Sequence, residues 1–514
     1  MVAYRIRDTP PSLVFGGHMR RGLLLNLISN IVFFVSGYAL HFFLGNTMPP
    51  AAYGVVGTII TVLDFEYMFV SNGARQSVAS EISRRRYAFR DVVGKTLAFQ
   101  MIVVAFFFCV NFLGAPLFGI VLNDALLDRY FRIAAFLVVV NGLQTVLLGV
   151  NDGLQRFGTS ALLSTFYPIS KLGVIPLIIF VFRSDPVIGV EIGFLLAVVL
   201  TILLGCALLF ARRGELRELQ ALDGDRRASE RIPFRYVATH TLSFSFFFIM
   251  VSLVLSVDTL IVKAVVEPAS MAGYYTGAMN FGKIAYYLLQ AFSTIILPVV
   301  AKLVGEGRRD EAVSRTADLL LVAFVFILPI CAVVSASSSD LLAAFYGPSF
   351  DVAAPALSCL AFSNFFMGIT VILNMVLNSF GSSRFSDVLS IVSLVVVIPV
   401  FIIAARMFGI TGIAVASVTC TGLAMLVTFL RVRQKVGHVM LRRTWIVFGA
   451  NVALWLVVRL GFTYFGGALG TGAAGKGFEL LALAAAYAFI YVAYLVVLFA
   501  AKVITVNQLR ALGR

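Results

Sequence analysis

The chain has 514 residues, of which 60% are hydrophobic and 13% charged, with mean hydropathy +0.97 and a formal net charge of +15. A soluble domain is about half apolar and about a quarter charged, so this composition excludes a soluble protein and points to an integral membrane protein. The five cysteines, Cys109, Cys206, Cys331, Cys359 and Cys420, lie in apolar runs with no CxxC pair, so the sequence supports neither a disulfide framework nor a zinc site.

The N-terminal stretch MVAYRIRDTPPSLVFGGHMRR is basic and polar and leads into an apolar run too long for a signal peptide, so residues 1–21 read as a cytoplasmic tail. A membrane helix needs about 20 apolar residues. Runs of that kind predict about fourteen transmembrane helices, at 22–45, 51–74, 96–119, 130–150, 159–182, 187–211, 237–262, 271–301, 316–335, 352–379, 385–405, 408–430, 444–458 and 479–501. The fold class is therefore an all-α membrane protein.

Basic residues test this count independently. With the N-terminus inside and strict alternation, 31 of the 40 lysines and arginines fall on the cytoplasmic side. Arg129, Arg132, Arg183, Lys263, Arg406, Arg459 and Lys476 fall on the other side, and Lys171 and Lys283 fall within spans. This is the bias of the positive-inside rule, with both termini cytoplasmic. It accounts for the net charge without nucleic acid as a partner.

The loops are short, and the longest, GELRELQALDGDRRASERIPFR, is charged. It reads as a cytoplasmic linker (214–236) between an N-lobe (22–213, spans 1–6) and a C-lobe (237–433, spans 7–12), followed by residues 434–514 with spans 13 and 14. An internal repeat relates the lobes. SVASEISRRR (77–86) aligns with VVAKLVGEGR (299–308) at an offset of 222, and GLQRF (153–157) with GSSRF (381–385) at 228. An offset of six helices preserves orientation, as in carriers built from parallel repeats.

Polar residues within the spans are the candidate functional groups. In span 8, Thr276, Asn280, Lys283, Tyr287, Gln290 and Thr294 recur every three or four residues, on one helical face. A polar stripe next to lipid is costly, so it is expected to line a protein interior or a wet cavity. In span 2, Thr61, Asp64, Ser71 and Arg75 share a face, and the offset of 222 places Thr61 on Lys283. The two lobes are thus expected to present equivalent polar faces to one space. Glu66 lies about 200° around the helix from Asp64. It is expected to meet another helix, protonated or paired with a cation. Lys171, in STFYPISKLGVIP of span 5, sits beside prolines able to open the helix and is a candidate partner for either carboxylate. Asp258 lies near the outer end of span 7, and Glu191 begins span 6 and reads as interfacial. No Walker loop, metal-ligand spacing or large catalytic loop is visible, so the chain does not read as an enzyme.

The stretches LGNTMPPAAYGVVGTIITVL, SVDTLIVKAVVEPASMAGYYTGAMNFGKI and VILNMVLNSFGSSRFSDVLSIVSLVVVIPVFIIAARMFGITGIAVAS resemble the polysaccharide flippases of the multidrug/oligosaccharidyl-lipid/polysaccharide exporter superfamily. The resemblance covers about residues 20–435. It implies two six-helix lobes rocking around a central cavity. It also implies transfer of undecaprenyl-diphosphate-linked oligosaccharide from the cytoplasmic to the periplasmic leaflet of a bacterial inner membrane. In that reading Lys283, Lys171 and Arg75 would meet the diphosphate, and Asn280, Tyr287, Gln290 and Thr276 the sugars. Asp64, Glu66 and Asp258 would carry a coupling ion, H⁺ or Na⁺, with no other cofactor. The implied partners are the lipid-linked oligosaccharide, membrane lipids, and the polymerase and glycosyltransferases of the same pathway. A peptidoglycan-precursor flippase and a multidrug or metabolite antiporter of the same superfamily are the alternatives.

Overall fold

A computed structural model describes residues 15–84, 87–211, 214, 232–381, 383–469, 476–501 and 503. Residues 1–14 of the expected tail, 215–231 of the expected linker and 504–514 of the C-terminus lie outside the described residues, as does the side chain of Thr294. Among the described residues every regular element is helical.

Eleven helices among the described residues are long and apolar enough to cross a membrane. One of them, Arg384–Lys435, has 52 residues. At 1.5 Å per residue it is about twice the length a bilayer requires. It is broken at Gly409, whose φ of 59° and ψ of −145° are outside the helical region. Only glycine adopts such a conformation readily, and the break divides the element into the expected spans 11 and 12. Spans 7 and 8 correspond to the helix Phe234–Val265 and to the pair Ser270–Gly282 and Ile284–Gly305. Each of the fourteen expected spans therefore has a helix. Span 13 is longer than the sequence pattern indicates, running over Arg442–Leu469. Between spans 9 and 10, where a loop is expected, lie the helix Ser338–Tyr346 and a 3₁₀ turn at Pro348–Ala353.

The contacts divide the chain into two compact units. The first extends to Phe246 but lacks Leu44–Val62 and Ile120–Asp124, which belong to the second together with the residues from Phe247 onward. In the first unit, glycines on span 4 set the helix spacing. A Cβ on Gly142 would lie 2.3 Å from a Val104 methyl, one on Gly149 2.3 Å from a Val78 methyl, and one on Gly153 2.7 Å from Ile82 Cβ. Small residues at such intervals let membrane helices approach closely, where van der Waals packing replaces the hydrophobic drive available in water. The start of span 7 is fastened to the same unit. Asp91 accepts a bond from the Ile232 amide at 2.7 Å, and Lys95 donates to the Ile232 carbonyl at 2.5 Å.

In the second unit the helix Pro50–Tyr67 packs, through its first turns, on Ser270–Gly282. A Cβ on Gly273 would lie 1.8 Å from the Pro50 carbonyl oxygen, and one on Gly57 2.3 Å from the Thr276 hydroxyl. Lys263, expected in an outer loop, is buried and paired with Asp124 at 2.7 Å. Spans 13 and 14 attach through polar contacts. Trp455 donates to the Ser335 hydroxyl at 3.1 Å, and Ser337 and Tyr487 share a hydrogen bond of 2.6 Å.

Candidate functional site

Each unit carries a lysine where a membrane helix stops and restarts. In the first unit, the helix Phe157–Lys171 contains Pro168 and ends at Lys171. A turn at Leu172–Gly173 follows, and the chain resumes helically at Val174. Pro176 has no N–H to close on the Leu172 carbonyl four residues earlier and crowds that turn, so the break follows from the local sequence. The Lys171 ammonium lies 3.9 Å from the centroid of the Phe194 ring and 5.5 Å from that of Tyr167. It is held by the ring quadrupoles and by the negative end of its own helix. The carboxylate within electrostatic reach is that of Asp64, which is exposed.

Glu66 has a different environment. It is 2% exposed, and the Asn111 amide donates to both carboxyl oxygens, at 2.7 and 2.8 Å. The two acids diverge as their helical phase requires. Of the two carboxylates open to Lys171, Asp64 is the one that acts on it electrostatically, and Glu66 is bonded to Asn111.

Arg75 departs from the expected face. A π-helical turn at Met68–Asn72 interrupts span 2. Such a turn takes in an additional residue and rotates all that follows, by about 100° for one residue at 3.6 per turn. The eleven-residue spacing then no longer places Arg75 beside Asp64. Its Nε lies 2.7 Å from Asp152, whose other oxygen accepts a 2.6 Å bond from Ser160.

In the second unit, Lys283 stands between the helices Ser270–Gly282 and Ile284–Gly305. It acts electrostatically on Asp258. Asp258 is 3% exposed, takes a 2.9 Å bond from the Tyr275 hydroxyl and one of 2.6 Å from the Thr259 amide. The expected polar stripe divides at this point. Thr276 is buried against Gly57, with its hydroxyl donating to the Ala272 carbonyl at 2.8 Å. Asn280 donates to the Tyr53 and Tyr346 hydroxyls, at 2.9 and 3.2 Å. This end of the stripe is helix packing. Lys283, Tyr287 and Gln290 are half-buried, and Tyr287 meets Tyr286 edge-on at 5.8 Å.

Asn111, Asp152, Ser160, Phe194, Tyr275 and Tyr346 are the partners the sequence reading did not single out. Asn111 carries a readable signal, since it stands in the apolar run FFFCVNFLG. Asp152 and Tyr346 lie in stretches expected to be loops, so neither is marked by periodicity. Among the described residues no cluster of three or more His, Cys, Asp or Glu has the geometry to hold a metal ion.

The sequence matches the family described as "Polysaccharide biosynthesis protein" over residues 19–304 and the MatE family over residues 243–403. A search of curated proteins finds no significant match. Among solved structures, a multidrug resistance MATE family transporter of the MOP superfamily, in an inward-facing conformation, is similar with TM-score 0.67 at 15% identity, over 81% of this chain and 98% of that one. The lipid II flippase MurJ in an inward closed conformation is similar with TM-score 0.67 at 12% identity, over 94% of this chain and all of that one. A MOP superfamily transporter from Pyrococcus furiosus, described as having a binding pocket of reverse polarity, gives TM-score 0.57 at 14% identity, over 82% and 94% of the two chains. At these identities the likeness establishes a shared fold.

Proposed function

The chain belongs to the polysaccharide biosynthesis protein family, and from that premise we propose that it flips a lipid-linked, diphosphate-bearing oligosaccharide across a bacterial inner membrane. The observation that carries this reading is the pair of lysines at helix breaks, Lys171 and Lys283, one in each unit. An ammonium within a membrane span is costly unless it serves an anion or a wet path. Diphosphate is the anion of the lipid-linked sugars that polysaccharide assembly consumes, and lysine is a compact, mobile charge for it. A carrier of organic cations would instead favour acids at these positions.

Tyr287 and Gln290 extend the site from Lys283 toward the sugars, and Asn280, tied to two tyrosines, fixes its far wall. Arg75 and Thr276 hold helices in this reading and do not touch cargo. Asp64 and Asp258 compete with the cargo for the two ammonium groups, so arrival of the diphosphate releases each acid to take up H⁺ or Na⁺. A ligand shifts a two-state equilibrium only through such differential interactions. The basic bias of the loops supports cytoplasmic termini.

The test uses proteoliposomes loaded with a fluorescent undecaprenyl-diphosphate oligosaccharide. Lys171→Ala and Lys283→Ala should each lose most of the flipping, and the double variant all of it. Lys→Arg at either position should retain a measurable part. Wild-type rates in the double variant, correctly inserted by size-exclusion profile, would remove the reading.

A further inference from the structure

Glu191 belongs to none of the groups described above. It lies in the second turn of the helix Pro186–Ala211, which is span 6, and is 2% exposed. Neither of its carboxyl oxygens has a hydrogen-bond partner. The donors near it are already engaged by its neighbour Asp185. The Tyr130 hydroxyl donates to the two Asp185 oxygens at 3.2 and 3.3 Å, and Arg129, largely exposed, stands 3.6 Å from the same carboxylate. Asp185 also accepts from the Ile188 amide at 3.4 Å and so caps the helix that carries Glu191.

The other charges on the elements packed against span 6 also point elsewhere. Arg183 donates to the Ile179 carbonyl, Arg132 pairs with Asp128 at 3.0 Å, Asp152 pairs with Arg75 at 2.7 Å, and Lys171 lies over Phe194, one turn further along. Asp185 and Arg129 therefore act on Glu191 only through space.

An ionised carboxylate without hydrogen bonds or a paired cation costs several kcal/mol in such surroundings, whereas the neutral acid is tolerated. A hard metal cation needs about six oxygen ligands, and Glu191 offers two. We propose that Glu191 is a proton-binding site at the outer end of the first unit, exchanging with bulk water through the partly exposed Asp185. The side chain holds the proton while buried and releases it when span 6 moves to admit water or to present Arg129. This deepens the transport reading above and rests on it for the purpose the proton serves.

Dicyclohexylcarbodiimide reacts with neutral carboxyl groups in apolar surroundings, and peptide mapping assigns the adduct. In protein reconstituted into nanodiscs, Glu191 should be labelled at acidic pH, and the adduct should be lost as the pH rises and in Glu191→Gln. Labelling of Glu66 without labelling of Glu191 at any pH would overturn the proposal, because it shows that the reagent enters the first unit. In flipping proteoliposomes, an imposed proton gradient should accelerate the wild type and Glu191→Asp but not Glu191→Gln. An unchanged gradient response in Glu191→Gln would overturn the coupling role. If the wild type flips no oligosaccharide, the transport reading fails while the labelling still decides whether Glu191 binds a proton.

Discussion

The two lysine-bearing helix breaks solve one problem in different ways. At Lys171 the break is made by proline, the ammonium rests on aromatic faces, and the neighbouring acid, Asp64, is exposed. At Lys283 the break follows Gly282, and Asp258 is buried and held by Tyr275 and Thr259. A hydrogen-bonded buried acid is locked in place, because moving it strands its donors. An exposed acid exchanges partners at little cost. The lysine break of the first unit is therefore the adaptable one and that of the second unit the rigid one.

The sharpest way to break this comparison is through a close-packed glycine in each unit. Gly273→Ala would place a methyl 1.8 Å from a backbone oxygen of Pro50, which cannot turn away. It should destabilise the protein by about 3 kcal/mol, near the upper end of overpacking costs, or prevent folding, as read by thermal unfolding in detergent. Gly193→Ala would meet a methyl of Val174 at 2.4 Å, a side chain able to yield, and should cost about 1–2 kcal/mol. Equal effects would show that the second unit is no more rigid than the first.

The acids come next. Asp258→Ala leaves the Tyr275 hydroxyl without its acceptor in a fully buried position, so a loss of about 1–3 kcal/mol is expected. Tyr275→Phe should lose less, since the Thr259 amide still holds the carboxylate. Asp64→Ala, at an exposed site, should change stability by about 0.5 kcal/mol or less. Its effect should instead appear in transport, as a changed dependence of flipping on pH or Na⁺.

The smallest expected change is at Arg75→Lys. The partly exposed pair with Asp152 keeps its charge but loses the guanidinium fork, so less than about 1 kcal/mol should be lost and flipping should persist. A large loss of flipping with normal stability would return Arg75 to the cargo path.

How much of this was legible in the sequence depended on the range of the interaction. The spans were legible because hydrocarbon imposes one rule on every residue of a long run. The break near Lys171 was legible because proline acts on its own backbone, whereas the sequence pattern separated spans 11 and 12 without marking Gly409 as the break. The Arg75 face was not, because the π turn at Met68–Asn72 leaves no mark in an apolar sequence, yet it rotates every later residue of the helix. The polar stripe of span 8 was read correctly as a period but not as a surface. Its N-terminal half, Thr276 and Asn280, is covered by Gly57 and Tyr53, more than 200 residues away.

The sequence by itself therefore determined an all-helical membrane protein with about fourteen spans, its basic bias, and the unusual presence of two lysines and several acids within spans. Only the tertiary structure decided which acid acts electrostatically on Lys171, that Asn111 takes Glu66, and that Glu191 is buried without a hydrogen-bond partner. The physical reason is that solvation by lipid acts on each residue separately and is written into composition. Hydrogen bonds and charge pairs are short-ranged, and which groups come within 3 Å is settled by helix packing, where a single glycine or one additional residue in a turn moves a side chain to another neighbour.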